Sequence, residues 1–166
     1  MGAIIGQLFS FLLYATAQVL FVRNLELWHY AFCYVYVAFL LLLPFETSSV
    51  LLLVLAFAAG LVMDVFYDTL GIHAAACVLI AFLRPSVVRL ITPRSDLDEG
   101  TRLSLKSMGL PWFLSYAVVL VFIHHAFLFL LEAANPSLLW PALFKTMAST
   151  VFTTVVIVII QYFQKK

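Results

Sequence analysis

The sequence predicts an all-α, polytopic membrane protein: a bundle of about six transmembrane helices forming a single integral membrane domain over residues 1–166. Three observations carry this. Only 10% of the 166 residues are charged and 65% are hydrophobic, with a mean hydropathy of +1.12; an ordinary soluble domain is about 25% charged. So few charges cannot cover the surface of a soluble domain of this size. The apolar residues fall into runs close to the ~20 residues a helix needs to cross a bilayer, and these runs are apolar on all sides, unlike the alternating strands of a barrel with a polar lumen. Composition therefore excludes a soluble globular enzyme and a disordered chain. A net charge of +1 excludes a nucleic-acid binder that works through a basic face.

Charges and Pro/Gly pairs punctuate the chain. Span one is expected from Ala3 to Val22, stopped by Arg23. Ala15-Thr16-Ala17 resembles a signal-peptide cleavage site, but no Lys or Arg precedes the run and it continues past that point, so a retained helix is expected. Span two is expected from Leu27 to Leu43, between turns at Arg23–Glu26 and Pro44–Thr47. Span three follows a cap at Ser48 or Ser49 and runs to Tyr67. Asp68–Gly71 turns into span four, Ile72 to Leu83, which Arg84-Pro85 is expected to kink, with Ser86 to Ile91 continuing along the interface. Thr92 to Gly109 is the one long polar segment and holds Arg94, Asp96, Asp98, Glu99, Arg102 and Lys106. Span five covers Leu110 to Leu131. After a Glu132–Leu139 loop, span six ends near Phe163. Cys33 and Cys77 lie in apolar runs outside any CxxC or Cys/His cluster and read as small buried hydrophobes.

Basic residues set the orientation. Arg84, Arg89, Arg94, Arg102, Lys106, Lys165 and Lys166 share one side if there are six spans; Arg23 and Lys145 are the only cations elsewhere. Both termini and the long loop are thus expected in the cytoplasm, with Asp64, Asp68 and Glu132 near the outer face. No internal repeat is evident, so an inverted-repeat transporter has no support.

The chemistry-bearing positions are few. Ala56, Gly60, Asp64 and Asp68 are spaced by four and share a face of span three. The small pair admits another helix closely. Asp64 sits about one turn inside the helix end, where a charge needs a partner or a water-filled site. The face either docks a partner or bridges helices of the same chain, and Lys145 is then the natural intramolecular counter-ion. Gly71 allows the turn, and His73 starts span four. Asp64, Asp68 and His73 offer proximity but not three or four converging metal ligands, and the carboxylate pair has no nucleophile beside it. No cofactor, metal or catalytic residue is therefore expected. His124 and His125 point about 100° apart and cannot share one partner; one is expected to bond across to a neighbouring helix, the other to pack beside it. Thr146, Ser149, Thr150, Thr153 and Thr154 form a hydroxyl stripe suited to tight helix packing. Trp28, His29, Tyr30, Tyr34, Tyr36, Trp112 and Trp140 read as interfacial anchors. The stretch from Arg84-Pro85 to Pro93-Arg94 reads as a basic edge for anionic lipid or for a cytoplasmic protein.

Six short-looped spans in this length resemble the rod shape-determining protein MreD family. The sharper likeness is Gly60 to Pro93, GLVMDVFYDTLGIHAAACVLIAFLRPSVVRLITP: a Gly-Leu-x-x-Asp helix end, a Gly-containing turn, a His/Ala-rich helix start and an Arg-Pro exit. The resemblance implies a non-enzymatic scaffold of the bacterial inner membrane. Such a scaffold binds MreC and acts with MreB, RodA and its transpeptidase partner in lateral peptidoglycan synthesis and cell shape. It also implies a fold similar to the substrate-binding subunits of energy-coupling-factor transporters, which keeps a small-solute transporter or such a subunit as the alternative. Carried onto this chain, the resemblance points to Gly60, Asp64, Gly71, His73, Arg84 and Pro85. With Ala56 and Asp68 from the helix face, these are the expected partner-binding residues.

Overall fold

The structure is a computed structural model that describes residues 2–27, 30–92, 101–133 and 136–164. Trp28, His29, Pro93, Arg94, Asp96, Asp98, Glu99, Asn135, Lys165 and Lys166, used above as anchors, loop residues and topology signals, lie outside the described residues.

Helix α1 (Gly2–Ala17) continues into a π-helical turn, Gln18–Val22. A two-residue hairpin follows, β1 (Glu26–Leu27) and β2 (Ala31–Phe32), antiparallel with Glu26 opposite Phe32. Then come a single short helix α2 (Val37–Leu41), the long helices α3 (Ser49–Tyr67) and α4 (Ile72–Ile91), and a single turn α5 (Leu105–Met108). Two more long helices, α6 (Leu110–Ala133) and α7 (Leu139–Phe163), complete the chain. Helices α3, α4, α6 and α7 are each long and apolar enough to cross a membrane, and each buries less than half of its apolar window. The outward halves carry Phe57, Phe82, Leu90, Phe122 and Val151, all exposed. An apolar surface this extensive is expected of a chain whose solvent is lipid.

The long helices begin and end for local reasons. Ser48 caps α3, its hydroxyl accepting the Leu51 N–H at 3.3 Å. At the other end Asp68 takes a left-handed φ of 55° and Gly71 a φ of 90°, which reverses the chain in four residues. Packing then runs in sequence, α3 on α4, α4 on α6, α6 on α7. The α3–α4 crossing is the closest: a Cβ placed on Gly60 would lie 2.3 Å from Ala74 Cα and 2.6 Å from Ala74 N and the His73 carbonyl oxygen.

Two expectations are corrected. Span four does not stop at Leu83 with an interfacial continuation; α4 is one helix through Pro85 to Ile91. Proline is tolerated inside a membrane helix when neighbouring groups and local adjustments re-satisfy the backbone. Span two is not a helix from Leu27 to Leu43. The chain there is a hairpin, then irregular backbone at Cys33 and Tyr34, then a turn into α2. Nearly all of Ala31–Leu43 is buried, with Val37 and Leu41 at 0% exposure. This segment, rather than any helix face, is the centre of the fold. Helices surround it, so its non-helical backbone lies against protein and not lipid, the one circumstance in which such backbone is stable at membrane depth.

Candidate functional site

A non-helical segment inside an apolar bundle leaves amide and carbonyl groups with no water to bond. Side chains from the surrounding helices satisfy them. Gln18, fully buried at the start of the π turn, donates from Nε2 to the Cys33 carbonyl at 2.9 Å. Its Oε1 accepts the Tyr36 N–H at 3.3 Å, and the same Nε2 reaches the Tyr67 hydroxyl at 2.7 Å. From α7, Ser149 Oγ accepts the Phe32 N–H at 2.9 Å and Thr153 Oγ1 accepts the Tyr34 N–H at 3.1 Å. The hydroxyl stripe read as helix-packing glue is in part a substitute β-strand, presenting oxygens where a neighbouring backbone would. Thr146 and Thr150 bond back to their own helix at Ala142 and Thr146.

The aromatic side chains of the segment complete the network. Tyr34 and Tyr36 are not interfacial anchors; they are 6% and 1% exposed. The Tyr36 hydroxyl lies 2.9 Å from His73 Nδ1 and 2.8 Å from His124 Nε2, with Cys77 Sγ at 3.7 Å. His124 Nδ1 has no partner among the described residues. A ring proton is better placed where it has an acceptor, which puts it on Nε2. The chain of bonds then runs one way, from His124 Nε2–H to Tyr36 O and from Tyr36 O–H to His73 Nδ1. His125 bonds elsewhere: Nδ1–H donates to the Val121 carbonyl at 2.7 Å, and Nε2 lies 3.2 Å from the Thr153 hydroxyl. The 100° separation of the two histidines thus gives each its own partners, instead of one bonded ring and one merely packed.

At one end of the segment Arg84 plays the same part for α2. It is 2% exposed, not on a basic edge. Its Nε donates to the Tyr116 hydroxyl at 2.8 Å, its Nη2 bonds the Leu43 carbonyl, and Tyr116 donates to the Leu41 carbonyl at 2.9 Å. The last carbonyls of a helix carry partial negative charge and lack internal donors; Tyr116 meets that need at Leu41, and the guanidinium that holds Tyr116 bonds the chain just beyond the helix at Leu43. Trp112 stacks on Tyr116 at 5.0 Å and donates to Thr92 Oγ1 at 2.8 Å, so it too is engaged within the bundle.

At the other end, Asp64 is 6% exposed and bonds within the chain. Oδ1 accepts the His73 N–H at 2.9 Å and the Thr69 hydroxyl at 2.6 Å, and Oδ2 accepts the Ala74 N–H at 2.9 Å. One carboxylate thereby caps α4, whose N-terminal N–H groups and dipole favour negative charge. Lys145 is not its counter-ion; it pairs with Glu132 at 3.3 Å, over the rings of Phe32 and Phe129. Asp64→Asn leaves at least one of the two capped N–H groups facing an amide nitrogen and is expected to cost about 1–2 kcal/mol. Asp64→Leu strands all three donors, at about 3 kcal/mol or more. Thermal unfolding of both variants in one detergent measures this, and a leucine variant as stable as the parent would remove the capping role.

The expected partner-binding residues therefore separate. Ala56 is buried, Gly60 is buried against α4, Asp64 and His73 are turned inward at the same crossing, and Arg84 is committed to Tyr116 of α6 and the Leu43 carbonyl. A second chain cannot reach the small-residue patch, because α4 occupies it. Pro85 is half-buried within α4. Asp68 is exposed and Gly71 half-buried, at the rim of an open groove of about 720 Å³ between the outward faces of α3 and α4. The groove is lined mainly by apolar residues, including Phe57, Leu61, Val65, Leu70, Ala75 and Val78.

Sequence reasoning missed Gln18, Tyr36, Ser149 and Thr153 as one constellation. A signal existed: Phe32-Cys33-Tyr34-Val35-Tyr36-Val37 is rich in aromatic and β-branched residues, which favour extended chain. Among the described residues, no group of three or more His, Cys, Asp or Glu side chains is placed to hold a metal ion. Comparison of the chain with protein-family models, with curated proteins and with solved structures finds no match.

Proposed function

We propose that the chain is a non-enzymatic membrane scaffold of the MreD type, serving cell elongation in a bacterial inner membrane. In this reading it receives the single membrane-spanning helix of MreC, and through it RodA, the transpeptidase partner and MreB. It crosses the membrane six times, with both termini cytoplasmic. Five crossings are helical and the second is Leu27–Leu43, whose Ala31–Leu43 part is buried, in an arrangement akin to the substrate-binding subunits of energy-coupling-factor transporters.

The observation that supports this best is the α3–α4 groove. Most of it lies within the Gly60–Pro93 stretch that resembles MreD, and apart from Asp64 and Thr69, which bond within the chain, its lining is mostly apolar and outward-facing. Leu70 is 100% exposed and Val65 75%. An apolar groove about 720 Å³ in volume, with a carboxylate at one end, suits a single apolar helix carrying a polar or basic residue at its outer end.

Leu61→Trp and Val65→Trp fill the groove from exposed positions and should leave insertion and melting unchanged. Capture of MreC from mild detergent should fall at least about fivefold, since packed anchors dominate such interfaces. Asp68→Asn keeps a residue type that tolerates the left-handed φ and should weaken capture less. Equal co-purification of MreC by all three variants and the parent would defeat the docking assignment. Enrichment of an ATPase module with saturable solute uptake would favour the transporter class instead.

A further inference from the structure

A second cavity lies at the opposite end of the bundle and has a different chemistry. It holds about 580 Å³ between the first half of α1, the end of the buried segment at Leu42–Pro44, the stretch before α5, and the end of α7. Among the described residues, Arg102 is the one charged residue in its lining, and none of those residues is a carboxylate. Gln7, Ser10, Tyr14 and Ser104 add an amide and three hydroxyls that can donate. Tyr14 accepts from Gln164 Nε2 at 3.0 Å, which leaves its own proton for another acceptor. The α7 C-terminus would oppose an anion, but Lys106 Nζ already bonds the Gln164 carbonyl there. Arg102 is held by backbone: it bridges Pro44, and the Phe45 N–H bonds the Thr101 carbonyl at 3.5 Å. Gln161 and Gln164, bonded to each other, close the α7 side, and Phe39, Leu42 and Leu43 form an apolar wall.

We propose that this cavity binds a phosphate-bearing ligand, its anionic oxygens on Arg102 and the hydroxyl and amide donors of α1, and its carbon chain against Phe39 and Leu42. The chemistry is that of a glycerol phosphate, borne by an acidic phospholipid or free in solution. A guanidinium grouped with neutral donors selects an anion, and the volume falls in the range of ligand sites. This site is independent of the α3–α4 groove, so its fate does not depend on the scaffold reading.

The test uses the full-length protein, delipidated in mild detergent and titrated with short-chain phosphatidylglycerol, short-chain phosphatidylcholine and glycerol 1-phosphate, read by native mass spectrometry and thermal shift. Phosphatidylglycerol should bind the parent more tightly than phosphatidylcholine. Arg102→Ala should weaken it about tenfold, a charge-assisted contact's worth, with Arg102→Lys between. Gly6→Trp should block it, because a Cβ at Gly6 meets nothing within 4 Å and an indole there fills the space without disturbing the helix. Arg89→Ala, exposed on α4 and outside the lining, should bind like the parent. Glycerol 1-phosphate binding as tightly as the lipid would support the site with a soluble ligand; lipid binding alone would support it with a membrane ligand. Equal binding of the two lipids, parent-like binding by Arg102→Ala or Gly6→Trp, or an equal loss in Arg89→Ala would each overturn the proposal.

Discussion

Gly60→Leu is expected to destabilise the whole bundle by more than about 3 kcal/mol and to leave little monodisperse protein after extraction. Gly60→Ala should already show a clear fall in melting temperature. Any Cβ at this position meets the backbone of α4, at Ala74 Cα and N and at the His73 carbonyl. Backbone cannot rotate away as a side chain can, so the helices must separate. Separation withdraws Asp64 from the His73 and Ala74 N–H groups and uncaps α4. Because the obstacle is main chain, Ala74→Gly should not rescue Gly60→Ala. Fluorescence-detected gel filtration and thermal midpoints in one detergent decide it: variants that extract and melt like the parent would show that the close crossing does not exist. Loss of MreC association by Gly60→Leu would therefore report on folding, which is why the docking test above uses Leu61 and Val65.

Gln18→Leu should cost about 3–5 kcal/mol, because it strands the buried Cys33 carbonyl and Tyr36 N–H and also removes the bond to the half-buried Tyr67 hydroxyl. Leucine nearly matches glutamine in volume, so a cavity contributes little and the loss reads the hydrogen bonds. Thr153→Val, which removes the oxygen accepting the Tyr34 N–H, should cost about 1–3 kcal/mol alone. Both side chains hold one segment, so the double variant should depart from additivity. Released backbone should also become reactive: Cys33, 2% exposed in the parent, should alkylate faster with a membrane-permeant maleimide in Gln18→Leu. An unchanged melting temperature together with unchanged alkylation would mean that Gln18 does not retain the segment.

Much of the architecture was legible because it follows from local chemistry. The runs of α3, α6 and α7 appear near their expected limits, since apolar length and a flanking cap or turn are properties of contiguous residues. Ser48, Gly71 and the i, i+4 face through Gly60 and Asp64 were readable for the same reason. What occupies that face was not readable. A Gly/Ala patch admits any helix that comes close, and which helix does so depends on the return path of the chain. Lys145 illustrates the point from the other direction: charge and side of the membrane favoured Asp64, but α6 places Glu132 nearer.

Composition alone makes this a membrane-embedded, helix-rich chain with only a few polar positions in its apolar runs. With 10% charged residues no other solvent allows it to fold. Only the tertiary structure decided that one apolar run abandons the helix. A lone segment in lipid must satisfy its own backbone and so becomes helical. Ala31–Leu43 escapes that rule because Gln18, Ser149, Thr153, Tyr116 and Arg84, from other parts of the chain, bond its amides and carbonyls. Hydropathy sums over neighbours in sequence, whereas those bonds join residues up to 121 positions apart.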